Sequence, residues 1–316
     1  MALIEWLHHG RLTRELAGGK GAALSGLQSA GFPIPDSFAV TADAYRLLLA
    51  TSGLDTRIEE LLSSAGALTR ESARDLAATI SSLILQTSFP AELAYQISSA
   101  YEVLATTMGS SSAVRSSATD EDGATRSMAG LYESYLNLRG TAAVLDAVSR
   151  CYASFWSERA IAHRAGRRSE GPAAMAVVVM SMVQCETAGV AFTAHPLTGD
   201  RGVVVINAGW GLGEAIVSGA VTPDSFVVRK DPLGVEEREI ADKRVGVYFG
   251  TESSGTFERE HNPARAAAPS LTDDQALEVA RTALAVESHY GTPQDVEWGI
   301  ADGRLYVLQS RPITTL

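Results

Sequence analysis

Cysteine is nearly absent: 316 residues hold two, Cys151 and Cys185, with no C-x-x-C pair. That excludes a disulfide framework and a zinc-type cysteine cluster, and it fits a reducing cytoplasm. Long apolar runs are also missing; none approaches the roughly 18–20 residues of a membrane span. The first residues carry Glu5 early and lack a basic stretch ahead of an apolar one, so they do not read as a signal peptide. Positive charge is in deficit, with 26 Lys and Arg against 37 Asp and Glu and a formal net charge of −11. The sequence pI is about 5.1. A protein that binds nucleic acid usually shows a basic field, so that class is disfavoured, although a nucleotide site can still be locally basic. No internal repeat, low-complexity tract, G-x-x-x-x-G-K-[ST] loop or G-x-G-x-x-G loop is found.

What is present is ample material for a core. Hydrophobic residues make up 46% of the chain, and the mean hydropathy is +0.04. Helical and strand patterns alternate, which argues α/β or α+β, and the length suits two lobes.

Near the C-terminus, Gln294 to Thr314 reads QDVEWGIADGRLYVLQSRPIT. Two runs of β-type residues flank an Asp302-Gly303 turn signal, which predicts a hairpin. Residues two apart share a face of a strand, so Asp295 pairs in direction with Glu297, and Gln309 with Arg311. Both pairs reach one face only if the connection has odd length or the ladder carries a bulge. Two carboxylates and an amide oxygen suit Mg²⁺, and an Arg beside them suits a phosphate. The alternative is an amphipathic hairpin with a solvated charged face.

Residues 14–31, RELAGGKGAALSGLQSAG, place Gly18 and Gly19 before a helical pattern, with Lys20 in the first turn. Unpaired N–H groups, the positive dipole end and an ammonium attract phosphate there, unless Lys20 is an ordinary exposed lysine. Pro33 and Pro35 predict an extended linker, Phe38 to Thr41 a short strand, and Thr41 an N-cap. Residues 55–108 read as scaffold helices. Ala113-Val114-Arg115 opens a strand, followed by a polar loop from Ser116 and Ser117 to about Ser127. Such a loop beside Arg115 suits a phosphate lid, or else Arg115 serves a structural ion pair. Ser127 to Leu138 reads as a strand, with Gly130 where a backbone can approach a ligand.

From Ala174 the pattern turns to β, with Val runs that predict strands buried on both faces. Met180 to Val183 has the composition of an adenine-binding edge, and equally of a plain core strand. Gly209-Trp210-Gly211-Leu212-Gly213-Glu214 resembles a dinucleotide loop superficially, but its spacing is wrong. Ser225 to Lys230 reads as a strand, residues 231–270 as an irregular excursion, and Leu271 to Tyr290 as a last helix capped by Thr272.

With GGKGAAL, GFPIPDSFAVTADAYR, VRSSATDED, SMAGLYESYLNLRG, GVAFTAHPLTG, NAGWGLGEAIVSGAVTPDSF and the hairpin in this order, the chain resembles the N-terminal ATP-binding domain of a family of phosphotransferases. That family comprises pyruvate phosphate dikinase, phosphoenolpyruvate synthase and rifamycin phosphotransferase. The resemblance runs nearly end to end. It implies an α+β ATP-grasp fold over residues 1–316, with approximate lobes 1–180 and 181–316 clamping ATP. It implies that Lys20 and Arg115 contact phosphates, and that Gly130, Glu133 and Ser134 belong to a glycine loop over the phosphate tail. It further implies that Met182 and Val183 offer backbone to adenine and that Glu214 approaches the nucleotide. Glu297 and Gln309 would hold Mg²⁺ with Asp295 nearby, and Arg311 would bind the phosphate chain. The implied partner is a phosphohistidine carrier on another domain or subunit, with no role for nucleic acid or membrane. Three departures stand out: Gly130-Leu131-Tyr132 replaces the frequent G-Q-Q, Met180-Ser181 stands where a Gln and a basic residue are common, and His195 stands where the family often has Asp.

Overall fold

The computed structural model describes residues 2–65, 69–109, 111–120, 132–165, 173–250 and 254–314. The chain divides into two compact units. The first comprises residues 1–29 and 36–182, the second residues 30–35 and 183–316. Both mix helix with antiparallel sheet, which is the α+β class.

The first unit contains β1 (Ile4–Trp6), α1 (Arg14–Ser29), β2 (Ser37–Val40), α2 (Ala42–Ser52), α3 (Leu54–Ser64), α4 (Arg70–Gln86) and α5 (Ala91–Met108). It continues through β3 (Ser111–Ala118), β4 (Ser134–Arg139), α6 (Thr141–Ser154), α7 (Glu158–Ala165) and β5 (Met175–Ser181). Its five strands run β1-β2-β5-β3-β4. The Thr41 hydroxyl accepts from the Ala44 N–H and caps α2, satisfying one of the donors that every helix start leaves open. β5 is buried at every residue, as its Val run requires. Tyr45, Tyr152 and Phe155 lock together edge to face beneath the sheet, and the Trp156 Nε1–H donates to the Tyr45 hydroxyl at 2.7 Å.

Two expectations change here, and one open alternative is decided. β3 extends through Ala118, so Ser116 and Ser117 are buried strand residues, not loop. β4 starts only at Ser134, and residues 127–131 lie outside the described residues. Of the two alternatives, Met180-Ser181 takes the core strand. It is flanked on both sides, Met180 by Ser37 and Ala113 and Ser181 by Ser112 and the Asp36 carbonyl.

The second unit contains β6 (Thr187–Phe192), β7 (Val203–Trp210), α8 (Glu214–Val217), β8 (Asp224–Lys230), β9 (Leu233–Glu239), β10 (Val245–Phe249) and β11 (Thr256–Glu260). It ends with α9 (Pro263–Ala267), α10 (Asp273–Tyr290), β12 (Gln294–Ala301) and β13 (Arg304–Pro312). Six strands form the sheet β13-β12-β6-β7-β8-β9, and β10-β11 make a separate ribbon. Residues 231–270 are therefore not irregular: they supply three strands and a short helix. Inside this region Lys243 and Asp224 form a buried ion pair, 2% and 0% exposed. Asp224 also accepts from the Ala241 N–H, the Ser270 N–H and the Ser270 hydroxyl. α10 opens with a capping box between Thr272 and Gln275.

Candidate functional site

The hairpin of the second unit is built from its turn upward. Asp302 and Gly303 take φ of 50° and 69°, both positive as a two-residue primed turn requires. Ala301 pairs with Arg304, and pairing runs in step as far as Trp298 with Val307. An unbroken ladder would then set Glu297 against Leu308 and Asp295 against Ser310, turning Gln309 and Arg311 to the other face. Instead the register shifts between Glu297 and Trp298, so Glu297 faces Gln309 and Asp295 faces Arg311. Leu308 is the extra residue, and it packs beside Val183, Cys185, Ala188 and Ala301. The bulge thus gathers all four polar side chains on one face.

Within that group the Arg311 Nε and Nη2 donate to one oxygen of Asp295, at 2.8 and 2.6 Å. The other oxygen, Oδ1, is buried with no hydrogen-bond partner. Burial pushes the Asp295 carboxyl above its usual range; Arg311 opposes this, and the Glu297 charge adds to it. Glu297 and Gln309 are half-buried opposite each other. Among the described residues no three His, Cys, Asp or Glu side chains are grouped to hold a metal. Mg²⁺ does not need three, since it commonly takes one or two carboxylates together with substrate phosphates. An unsatisfied buried carboxylate oxygen beside a second carboxylate fits such an ion.

In the first unit, Gly18 interrupts α1 at φ 70°, ψ −177°, so Lys20 stands in the first turn of the segment that follows. Arg115 lies half-buried on β3, and its register partners are Ser134 on β4 and Val178 on β5. The Ser116 N–H donates to the Glu133 carbonyl at 3.2 Å. Arg115, Glu133 and Ser134 are therefore neighbours, with Glu133 and Ser134 exposed. Gly130 lies outside the described residues. The chain leaves the first unit at Met182 and enters the second at Val183. The Met182 N–H donates to the Ser111 carbonyl at 3.0 Å, and the Val183 carbonyl accepts from the Cys185 N–H at 2.9 Å. Glu214 is exposed at the start of α8 and accepts from the Thr256 hydroxyl at 3.3 Å. His195 closes a turn: its Nδ1 accepts from the Leu197 and Thr198 N–H groups at 3.2 and 3.3 Å. Sequence reasoning missed Ser117, which faces α1 from the strand that bears Arg115. The signal was its spacing of two from Arg115, hidden because SSAVRSSA lacks the apolar alternation of an ordinary strand.

By class the chain is an ATP-binding domain. It belongs to the family described as pyruvate phosphate dikinase, AMP/ATP-binding domain, whose model matches residues 14–316. It is 38% identical over 321 residues to a "Probable phosphoenolpyruvate synthase" of Methanocaldococcus jannaschii, covering 100% of this chain and 27% of that protein. It is 38% identical over 344 residues to the phosphoenolpyruvate synthase of Pyrococcus furiosus, covering 95% and 42%. A rifampicin phosphotransferase of a Streptomyces species is 41% identical over 302 residues, covering 95% and 34%. The chain thus spans 27–42% of the length of these relatives. A solved D-alanine–D-alanine ligase of Bacillus anthracis matches over 92% of this chain and 55% of its own at 10% identity, with a TM-score of 0.33.

Proposed function

We propose that the chain is an ATP-grasp phosphotransfer module that binds Mg²⁺-ATP and passes the β-phosphoryl to a histidine on another domain or subunit. AMP and phosphate are the other products. An imidazole nitrogen takes the β-phosphoryl, AMP leaves with the bridging oxygen of the α–β anhydride, and water takes the γ-phosphoryl as phosphate. The observation that carries this reading is the bulge-set face of β12 and β13, with its unsatisfied Asp295 Oδ1.

Glu297 and Gln309 would hold the magnesium ion, with Asp295 beside them. When bound, the ion neutralises phosphate charge and favours phosphoryl transfer. Arg311, oriented by Asp295, meets the phosphate chain as a planar donor. Lys20 and Arg115 supply further positive charge to the phosphates, and Glu133 and Ser134 border them. Met182 and Val183 present backbone to adenine, and Glu214 approaches the nucleotide. Catalysis on this reading is mostly positioning and charge neutralisation. Two buried, unpaired cysteines suit a cytoplasmic setting. The family membership and the names of two relatives, a phosphoenolpyruvate synthase and a rifampicin phosphotransferase, support the assignment.

The test is product analysis with Mg²⁺ and ATP, with and without a histidine-carrier protein. AMP that appears only with the carrier supports the proposal. ADP formed with a small acceptor points instead to a direct kinase, and binding without turnover under every condition points to a sensor. Glu297→Ala or Gln309→Ala is expected to abolish Mg²⁺-dependent turnover while the circular dichroism spectrum stays unchanged.

A further inference from the structure

The geometry points to Ser117 as a positioning residue that aims Lys20 at the phosphates. In an unbroken helix the Ala17 carbonyl would accept from the Gly21 N–H, four residues on. The Gly18 backbone, at φ 70° and ψ −177°, removes that bond. The Ser117 hydroxyl takes its place. It accepts from the Gly21 N–H at 3.0 Å and donates to the Ala17 carbonyl at 2.7 Å, both bonds buried. A side chain from β3 is thus inserted into the hydrogen-bond ladder of α1.

The fit is close on both sides. A Cβ added at Gly18 would overlap the Ser117 carbonyl and hydroxyl, and one at Gly21 would come within 3.4 Å of Val178 Cγ2. Val178 is the β5 partner of Arg115. Arg115 and Ser117 are two apart on β3 and share the face that α1 covers. Lys20 immediately precedes Gly21, whose N–H is the group held. One hydroxyl therefore ties the turn that carries Lys20 to the strand that carries Arg115. Without it two buried backbone groups lose their partner, and the helix segment is free to rotate about the Gly18 break.

This inference rests on the reading that Lys20 contacts phosphate, and the experiment separates the two. Mg²⁺-ATP and adenosine are each titrated calorimetrically into the wild-type chain, Lys20→Ala, Ser117→Ala and the double variant. Lys20→Ala is expected to weaken Mg²⁺-ATP about tenfold. Ser117→Ala is expected to do the same while adenosine binding changes less than about twofold, and the double variant is no weaker than Lys20→Ala alone. A purely structural hydroxyl would instead lower both affinities together, leave both unchanged, or give losses that multiply in the double variant; each of these overturns the proposal. If Ser117→Ala does not fold, Ser117→Cys keeps the shape with a weaker donor and is read through the same cycle. If Lys20→Ala binds Mg²⁺-ATP like wild type, the phosphate reading of Lys20 fails, and the role of Ser117 fails with it.

Discussion

Asp224 and Asp295 are two buried carboxylates on strands of one sheet, each paired with a single cation, and they are finished differently. Asp224 divides four donors between its oxygens: the Ala241 N–H and the Lys243 ammonium on Oδ1, the Ser270 N–H and hydroxyl on Oδ2. Asp295 spends one oxygen on Arg311 and leaves the other buried without a donor. A folded chain tolerates such an orphan only at a cost, because a desolvated acceptor has lost water and gained nothing. The satisfied carboxylate holds the fold together. On the proposed reading, the unsatisfied one is open to a bound cation.

The comparison can be broken most forcefully at Asp224. Asp224→Ala strands the Lys243 ammonium in the core, and loss of one partner of a buried pair costs about 3–5 kcal/mol. Urea denaturation followed by Trp fluorescence is expected to show that loss, with or without ATP. Next comes the face that the bulge gathers. Gln309→Leu combined with Arg311→Leu leaves the bulge in place and strips the amide and the guanidinium from the gathered face. Mg²⁺-ATP affinity is expected to fall about a hundredfold. Equal affinity in the double variant would show that the gathered face has no part in binding.

Asp295→Asn sharpens the contrast from the other side. Stability is expected to move by less than about 1 kcal/mol, because the lost charge was poorly solvated, while Mg²⁺-ATP affinity falls about tenfold. The pH dependence has a definite sign. Asp295 is raised in the folded state, so its contribution to stability is greatest below the ordinary aspartate range and declines as pH rises through the folded value. Melting curves between about pH 4 and 8 are expected to show that decline in the ligand-free wild type and not in Asp295→Asn. Parallel curves would mean that burial does not govern this carboxylate.

The two regions also differ in how far the sequence discloses them. The hairpin shows itself in D-x-E, Q-x-R and the Asp302-Gly303 turn, because alternation and turn chemistry are local rules. The need for a bulge is also legible, since a two-residue turn alone sets the pairs on opposite faces. That Leu308 is the bulged residue is not, because its apolar neighbours arrive from β6 and the segment before it. The stretch 231–270 hides its strands for a different reason. Every residue of β11 is exposed, and so are the last four of β9, so neither carries the apolar-polar alternation that marks a half-buried strand. The Asp224–Lys243 pair spans 19 residues across that stretch and has no local signature. Ser116 and Ser117 look like loop because they are polar, yet β3 sits between α1 and α6, where small side chains let both helices approach. β5 displays a core composition that is indifferent to whether the strand lies at the edge or the centre; pairing on both sides decides it.

The smallest expected effect tests whether burial without charge leaves a comparable mark. Cys151 and Cys185 lie one in each unit, and burial pushes both thiols up to about 12. At Cys151 the Ser116 hydroxyl and the Lys20 charge act in the opposite direction, but burial outweighs both. A raised thiol favours the folded state fully below the ordinary cysteine value, and that preference is lost only as pH climbs towards 12. Native protein at about pH 8 is therefore expected to react with a maleimide on neither cysteine within an hour, and to react on both once unfolded in urea. Because each thiol reports its own unit, labelling of Cys185 alone at intermediate urea would show the hairpin unit opening first. Asp224→Ala should lower the urea concentration at which Cys185 reacts and leave that for Cys151 in place. Simultaneous labelling of both thiols in that variant would mean that the two units unfold as one, and that the Asp224 network supports the whole chain and not the second unit alone.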